Sequence, residues 1–399
     1  MRQIILLTLM ILINASAYAR DKTLDDYMND ISKHPEVLYN LSLADEYREL
    51  STLALSLPDP SLMIGVDNMP VDDPAFDRFL PTSKIFGFKQ DIPNYSLRKA
   101  RSGKQKQLSK KLVVISSFAK SRLESSFIAT LLRLGKVRTQ QELEAKQLRN
   151  FKELDTYFKG RLESGSGVYW RLSEVDVARS LVEQNINNLN AEYKSIEAEL
   201  IHLVGEVPTL KIYQIDSKDW QSVDDLYPVK IAGKNILLGG HAVQMAKSSY
   251  GSNYGVQALY KQRDEGKNFT GDDWFSVQAT FTVPLWYKSN QQPKNRAALA
   301  KKQAAEQALD NVKRQWLKKM TSLESVRDAA LQNVHLLVAK DKAFNEMVAA
   351  AKRTYESGET SLDNLLAAKN SRLSIQSQLA EQRYKHMSLL AEINSYIGK

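Results

Sequence analysis

The sequence of 399 residues contains no cysteine. That excludes disulfides, thiolate metal sites and an acylated N-terminal cysteine as an anchor. No H-E-x-x-H pair, G-x-S-x-G elbow or phosphate-cradling loop occurs either. The five histidines, His34, His202, His241, His335 and His386, are scattered, with no close pair and no carboxylate-rich ligand pattern. Catalysis needs a convergent set of titratable groups, so no enzyme activity, no cofactor and no resident metal is expected. Beyond the N-terminus nothing reaches the ~20 apolar residues of a membrane-spanning helix, which leaves β-strands as the only route into a bilayer. The formal charge of +9 would suit a polyanion. Lys and Arg nevertheless read as interspersed with Asp and Glu, without a dense basic arm, so a nucleic-acid partner is not expected.

What is present begins with a leader. Arg2, the apolar run Ile4 to Ile13 and Ala17-Tyr18-Ala19 fit an export signal peptide over residues 1–19, cleaved before Arg20. The rest repeats itself. Glu163-Ser164-Gly165 opens a segment that closes on Leu203-Val204-Gly205, and Glu356-Ser357-Gly358 opens one that closes on Tyr396-Ile397-Gly398, 193 positions later. Self-similarity over half a chain points to internal duplication. The expected division is a first repeat over 20–205, a linker over 206–231 and a second repeat over 232–399.

Along the first repeat, Leu24 to Leu57 reads as amphipathic helix interrupted at His34-Pro35 and stopped by Leu57-Pro58-Asp59-Pro60. Strands follow near Ser61 to Met69 and Lys84 to Ile92, each about the ~9–11 residues that cross an outer membrane. Ser96 to Arg161 has no proline and few glycines; as one helix it would reach ~100 Å, too long for a globular domain. After a turn at Gly165-Ser166-Gly167, the series Val182, Ile186, Leu189, Tyr193, Ile196, Leu200 and Leu203 alternates spacings of four and three, a coiled-coil seam. The same seam recurs as Ile375, Leu379, Gln382, His386, Leu389, Ile393 and Tyr396, with Gln382 and His386 as polar intrusions. His386 at a seam position reads as an interface or core residue rather than a ligand.

The second repeat is expected to carry a shortened helix near Gly240 to Ser249, without a counterpart to His34-Pro35. Strands follow near Asn253 to Gln262 and Trp274 to Val283, then a long helix from Gln291 to Tyr355. Phe275, Val277, Ala279, Phe281 and Val283 alternate with Ser276, Gln278, Thr280 and Thr282, as for a strand with lipid on one side and water on the other. Tyr254, Tyr260, Trp274 and Trp286 stand at strand ends, where a membrane aromatic girdle would lie. Four strands cannot close a barrel, and lipid tolerates no open edge, so closure requires several chains.

Strand, strand, long helix, turn and return helix, present twice, resemble the TolC-type outer-membrane efflux channel family across the mature chain. Gly65-Val66-Asp67-Asn68-Met69-Pro70-Val71 and Phe86-Gly87-Phe88-Lys89-Gln90-Asp91-Ile92-Pro93 resemble its heavy-metal branch, of the cobalt-zinc-cadmium or copper type. The resemblance implies an α+β membrane protein and a homotrimer. Four strands per chain would make a twelve-stranded outer-membrane β-barrel, continued by a long α-helical coiled-coil tunnel across the periplasm. It implies a periplasmic adaptor (membrane fusion) protein and an inner-membrane RND pump as partners and outer-membrane lipid around the barrel. The branch points to heavy-metal cations as cargo, while the sequence itself leaves the cargo open between metal and drug or other small molecule. The gate and adaptor contacts would lie at the tips, Arg161 to Arg179 and Arg353 to Lys369. Arg161, Glu163, Gly165 and Asp176 fall at the first tip, and Arg353, Glu356, Gly358 and Asp363 at the second. Asp363 would form a threefold carboxylate ring tuned by Arg353. Val168-Tyr169-Trp170-Arg171 reads as an insertion before the first return helix resumes at Ser173, leaving the register of Asp176 against Asp363 open.

The rival reading is a periplasmic coiled-coil adaptor or structural spacer without a pore. The long helices alone would allow it; the paired strands and the two-faced Trp274 strand speak against it.

Overall fold

The computed structural model describes residues 22–210 and 214–398. The leader expected at Met1 to Ala19 lies outside them. In chain order the elements are α1 (Leu24–Ser32), α2 (Pro35–Leu55), β1 (Ser61–Asp67), β2 (Ser83–Ile92), α3 (Tyr95–Glu163), α4 (Tyr169–Val204), a 3-10 turn (Val223–Asp225), α5 (Tyr227–Ser248), β3 (Tyr254–Gln262), β4 (Trp274–Phe281), α6 (Gln291–Glu356) and α7 (Leu362–Tyr396).

Local chemistry sets the boundaries. Thr23 and Asp26 form a reciprocal capping box on α1, and His34 caps α2 from just before Pro35. The Asn94 side chain accepts from the backbone N–H groups of Ser96 and Leu97, starting α3 directly after β2. With no proline to interrupt it, α3 runs 69 residues, and α6 runs 66. At 1.5 Å per residue each is about 100 Å long.

One helix differs from expectation. The shortened helix near Gly240 to Ser249 is a full helix, α5, that begins at Tyr227 inside the span read as linker. Gly233, Gly239 and Gly240 depress its helix propensity, yet at Gly239 a Cβ would sit 3.0 Å from the Cα of Lys302 on α6. That glycine is a close-packing position, not a breaker. Pro228 stands in the first turn of α5 as Pro35 does in α2. Tyr227-Pro228 lies 193 positions after His34-Pro35, so the second half does carry a counterpart.

The four strands make one antiparallel sheet in the order β1-β2-β3-β4. The helices extend from it side by side. Nearer the sheet, α2, α3, α5 and α6 are neighbours in that order; farther away the order is α4, α3, α7, α6. Both long helices therefore run through both levels.

Three apolar clusters hold this arrangement. Tyr27, Ile31, Phe127, Leu131, Ile196 and Leu200 join α1, α3 and α4. Leu226, Val229, Met320, Ile393 and Ile397 join α5, α6 and α7. Phe127 and Met320, both fully buried, are themselves 193 positions apart. The third cluster sits at the tips. On the seams, Val182, Ile196, Leu200, Leu203, Ile375, Leu379 and Ile393 are buried, while Gln382 and His386 are half-buried. His386 Nδ1 lies 3.3 Å from the Arg327 carbonyl oxygen, so it engages a neighbouring helix as an interface residue would.

Candidate functional site

The residues singled out in the sequence fall in two regions: the sheet and the far ends of the helices.

The register aligns one apolar stripe across all four strands. Ile64 faces Phe86, Phe86 faces Tyr260, and Tyr260 faces Phe275; a second row runs Leu62, Phe88, Ala258, Val277. Directly paired residues share a face of a sheet, so these rows are a single surface. It is bare: Leu62 is 80% exposed, Ile64 83% and Phe275 70%. The opposite face is mainly polar, with Ser61, Lys89, Gln257 and Gln278 in one row and an Asp67–Lys261 ion pair of 2.6 Å. A contiguous apolar surface of this size is unstable against water and suits lipid.

Of the four girdle aromatics, Tyr254 and Tyr260 lie on the apolar face near its two ends, six residues or about 20 Å apart. Trp286 follows β4 at the helix-proximal end and is exposed. Trp274 does not join them. It pairs with Lys261, one position out of phase with Tyr260, and so starts on the polar face, where the Arg263 guanidinium lies 3.8 Å from its ring centre. Its aromatic character and terminal position suggested a girdle role; the one-residue phase reverses the face.

At the other end, α3 and α6 close with the same backbone motif. Gly165 takes φ +83°, its N–H donates to the Leu162 carbonyl, and the Ser166 N–H donates to the Arg161 carbonyl, both at 3.0 Å. Gly358 takes φ +77°, donating to the Tyr355 carbonyl at 3.0 Å, while the Glu359 N–H reaches the Thr354 carbonyl at 2.9 Å. Each is a Schellman closure, which needs the left-handed conformation that glycine adopts without strain.

The return helices then start in register: α4 at Tyr169 and α7 at Leu362, 193 positions apart. Tyr169, Trp170 and Arg171 are therefore helical, not an insertion ahead of Ser173. Trp170 is the counterpart of Asp363, and Asp176 that of Lys369, nearly two turns farther along. The Asp363 carboxylate accepts from the Ser361 hydroxyl at the start of α7, where a negative charge favours the helix dipole. Tyr169 and Trp170 are 73% and 61% exposed, and the Arg171 guanidinium stacks 4.1 Å from the Trp170 ring.

Both tips share the third apolar cluster. Leu154 and Phe158 from α3, Val175 from α4 and Leu362, Leu365 and Leu366 from α7 pack together. The charged tip residues are not gathered around each other within one chain. Glu356 pairs with Lys352 at 3.6 Å, Asp176 with Arg179 at 3.1 Å, and Arg161 lies over the Tyr157 ring. Among the described residues no ion pair links Arg161, Glu163, Arg353, Glu356 and Asp363 to one another. No group of metal-ligating side chains occurs among them either.

A clasp between the two levels was not foreseen. Leu226 bridges Ile397 in a short β pairing, the Gly398 N–H donates to the Asp225 carbonyl at 2.9 Å, and Lys230 Nζ donates to the Gly398 carbonyl at 2.8 Å. The Asp225 carboxylate accepts the backbone N–H groups of Ser222 and Gln221, which hold its pKa below the usual range. On the other side, Glu206 is held low by hydrogen bonds from Lys22 and then Tyr27.

A four-stranded sheet with a lipid-suited face, continued by paired helices of about 100 Å, defines a class: the chain has the fold of the TolC-type outer-membrane channels. No family model matches the sequence, and no curated protein matches it. Solved structures do. The outer membrane protein VceC of Vibrio cholerae superposes with a TM-score of 0.74 at 16% identity, over 94% of this chain and 96% of that one. CusC, crystallised in a study of folding and transmembrane channel formation, gives 0.76 at 12% identity over 95% and 93%. The open state of the MtrE outer membrane channel of Neisseria gonorrhoeae gives 0.76 at 12%, over 94% and 88%. The resemblance drawn from the sequence therefore holds at the level of the fold.

Proposed function

We propose that this chain is one subunit of an outer-membrane channel that serves as the exit duct of a tripartite efflux system. The observation that carries the proposal is the exposed apolar face of a sheet whose edge strands, β1 and β4, have no partner on their outer sides among the described residues. In lipid such edges must be paired. Three copies would close twelve strands, with the Asp67–Lys261 face turned to a water-filled lumen. The helices ask for the same closure, since α4 and α6 flank the lower level with one side unpartnered. A duplicated unit, joined through the segment before Val223, accounts for the recurring spacing of 193.

On this reading the chain is a passive conduit in the outer membrane with its helices in the periplasm. Energy would come from an inner-membrane pump of the RND type, reached through a periplasmic adaptor that meets the tips. The gate would lie at Asp363 and Arg353, repeated around a threefold axis, with Arg161, Glu163 and Glu356 on its outer turns and Asp176, nearly two turns along α4, outside it. Exposed ion pairs contribute only ~0–1 kcal/mol each, so a gate assembled from them would open readily once an adaptor competes for the same groups.

The test is extraction of the outer-membrane fraction in detergent, followed by unheated gel mobility and planar-bilayer recording. A membrane-resident trimer with discrete conductance supports the channel. A soluble periplasmic species without conductance overturns it and favours the coiled-coil spacer.

A further inference from the structure

Positive charge is not interspersed along the whole chain, contrary to the expectation drawn from its overall balance. Between Asp91 and Glu124 there are nine Lys and Arg residues and no carboxylate. Between Asp225 and Asp264 there are five, and between Asp273 and Glu306 another five, again with no carboxylate. Folded, all nine of the first stretch lie on the sheet-proximal part of α3, Lys230, Lys234 and Lys247 lie on α5, and Lys294, Arg296, Lys301 and Lys302 lie on the first turns of α6, neighbours at one level directly beneath the sheet. Lys261, Arg263 and Lys288 lie on or beside the sheet. α2 brings carboxylates there, where Arg48 engages Asp45 and Glu49, and α6 brings Glu306, which pairs with Lys302. The ion pairs nearest in sequence to the α3 cluster are Lys89–Asp91 and Lys120–Glu124, outside its centre.

The placement on α3 is decisive. One flank meets α2, through Ser102 to Ser51 and Ser116 to the Val37 carbonyl. The other meets α5, where His241 packs on Gly103 and Lys111 reaches Asn235. Two faces remain free. At 100° per residue, Lys99, Lys106 and Lys110 fall on one, and Arg101 and Lys104 on the other, with Lys111 at the edge of that second face where its ammonium meets Asn235 of α5. In a ring of side-by-side helices one free face lines the lumen and the other the periplasm. Whichever way the ring closes, at least two cations per chain line the tunnel.

We infer that the upper tunnel is an anion-attracting collar, and that the pore favours small anions and anionic cargo over cations. The inference rests on the channel reading above. Charges of one sign on the wall of a narrow, low-dielectric passage raise the local concentration of counter-ions and repel co-ions. This disfavours the heavy-metal cations implied by the sequence resemblance.

The experiment is the reversal potential of the purified trimer in a planar bilayer under a potassium chloride gradient centred near ~0.1 M, where the screening length is ~10 Å. Chloride should permeate several-fold better than potassium, with the preference shrinking toward ~1 M salt, where screening falls to ~3 Å. Of two triple variants, K99E/K106E/K110E and R101E/K104E/K111E, the one on the lumen face should abolish or invert the preference and the other leave it unchanged. The glutamine triples K99Q/K106Q/K110Q and R101Q/K104Q/K111Q guard against misfolding, and unheated trimer mobility is checked for each. Conductance with potassium preferred, or a chloride preference that no triple moves, overturns the collar and leaves the channel standing. Absence of conductance from a membrane-resident trimer overturns both.

Discussion

Trp170 and Asp363 occupy the same position in the two tips: each is the second residue of its return helix, and each follows the same Schellman closure by the same number of residues. The two hairpins are thus alike in closure and spacing and opposite in chemistry, one ending in an exposed aromatic pair and the other in a carboxylate. Asp176, aligned with Asp363 by residue type alone, sits about 9 Å farther along its helix.

Asp363→Ala and Arg353→Ala should change single-channel current or leakage of bulky antibiotics while leaving the trimer folded, and Asp176→Ala should change neither. Unaltered current in both of the first two variants removes the second tip from the gate.

Gly165→Ala and Gly358→Ala meet no atom within 4 Å of the new Cβ, so only backbone strain opposes them. Each should lower stability by about 1–2 kcal/mol, the left-handed penalty of an L-residue. Gly358→Asn should cost less, because asparagine tolerates that conformation. Urea midpoints of the three variants measure the order; an Ala variant as stable as the parent contradicts the motif.

Phe127→Ala and Met320→Ala remove fully buried side chains from the two central clusters. Losses of about 3–5 and 2–5 kcal/mol are expected in equilibrium unfolding. Leu366→Ala, at the shared tip cluster, should cost about as much as Met320→Ala and loosen both tips together.

Acid should open the clasp around the C-terminal end of α7. The folded pKa of Asp225 is depressed by the Ser222 and Gln221 N–H groups, so its contribution is complete above the unfolded value of ~3.9 and lost as pH falls through the lower folded value. Glu206, depressed by Lys22 and Tyr27, acts in the same direction. Cleavage by an acid protease near Gly398 should rise as pH drops from about 5 to about 3 in the parent chain. Asp225→Asn should show a flatter profile; identical profiles would dissociate Asp225 from the clasp.

Val277→Lys and Ser276→Lys test the two faces of β4 with one charge. At mid-strand on the apolar face lysine should cost about 2–4 kcal/mol of insertion, and on the polar face much less. The yield of folded protein in the outer-membrane fraction reports the difference. Equal yields would mean that neither face meets lipid.

Much of this architecture is written in local pattern. Proline placement bounded α2, the strands and the two long helices, the alternation from Phe275 to Val283 announced a two-faced strand, and the three-and-four spacing from Val182 to Leu203 marked a buried seam. Those signals depend on neighbours a few positions apart, and neighbours in sequence are enough to state them. Glycine was misleading in α5, because Gly239 reads as a weak helix former until Lys302 is seen against it. The face of Trp274 likewise depends on pairing with Lys261, a partner thirteen positions away.

The sequence by itself determined the strands, the long helices and the turns between them, since hydrophobic period, capping and turn chemistry are local. Only the tertiary structure decided which residue of one tip answers which of the other, and that the lysines and arginines of α3, α5 and α6 crowd one level. Register and juxtaposition arise from packing between segments that lie far apart along the chain, and no local signal carries them.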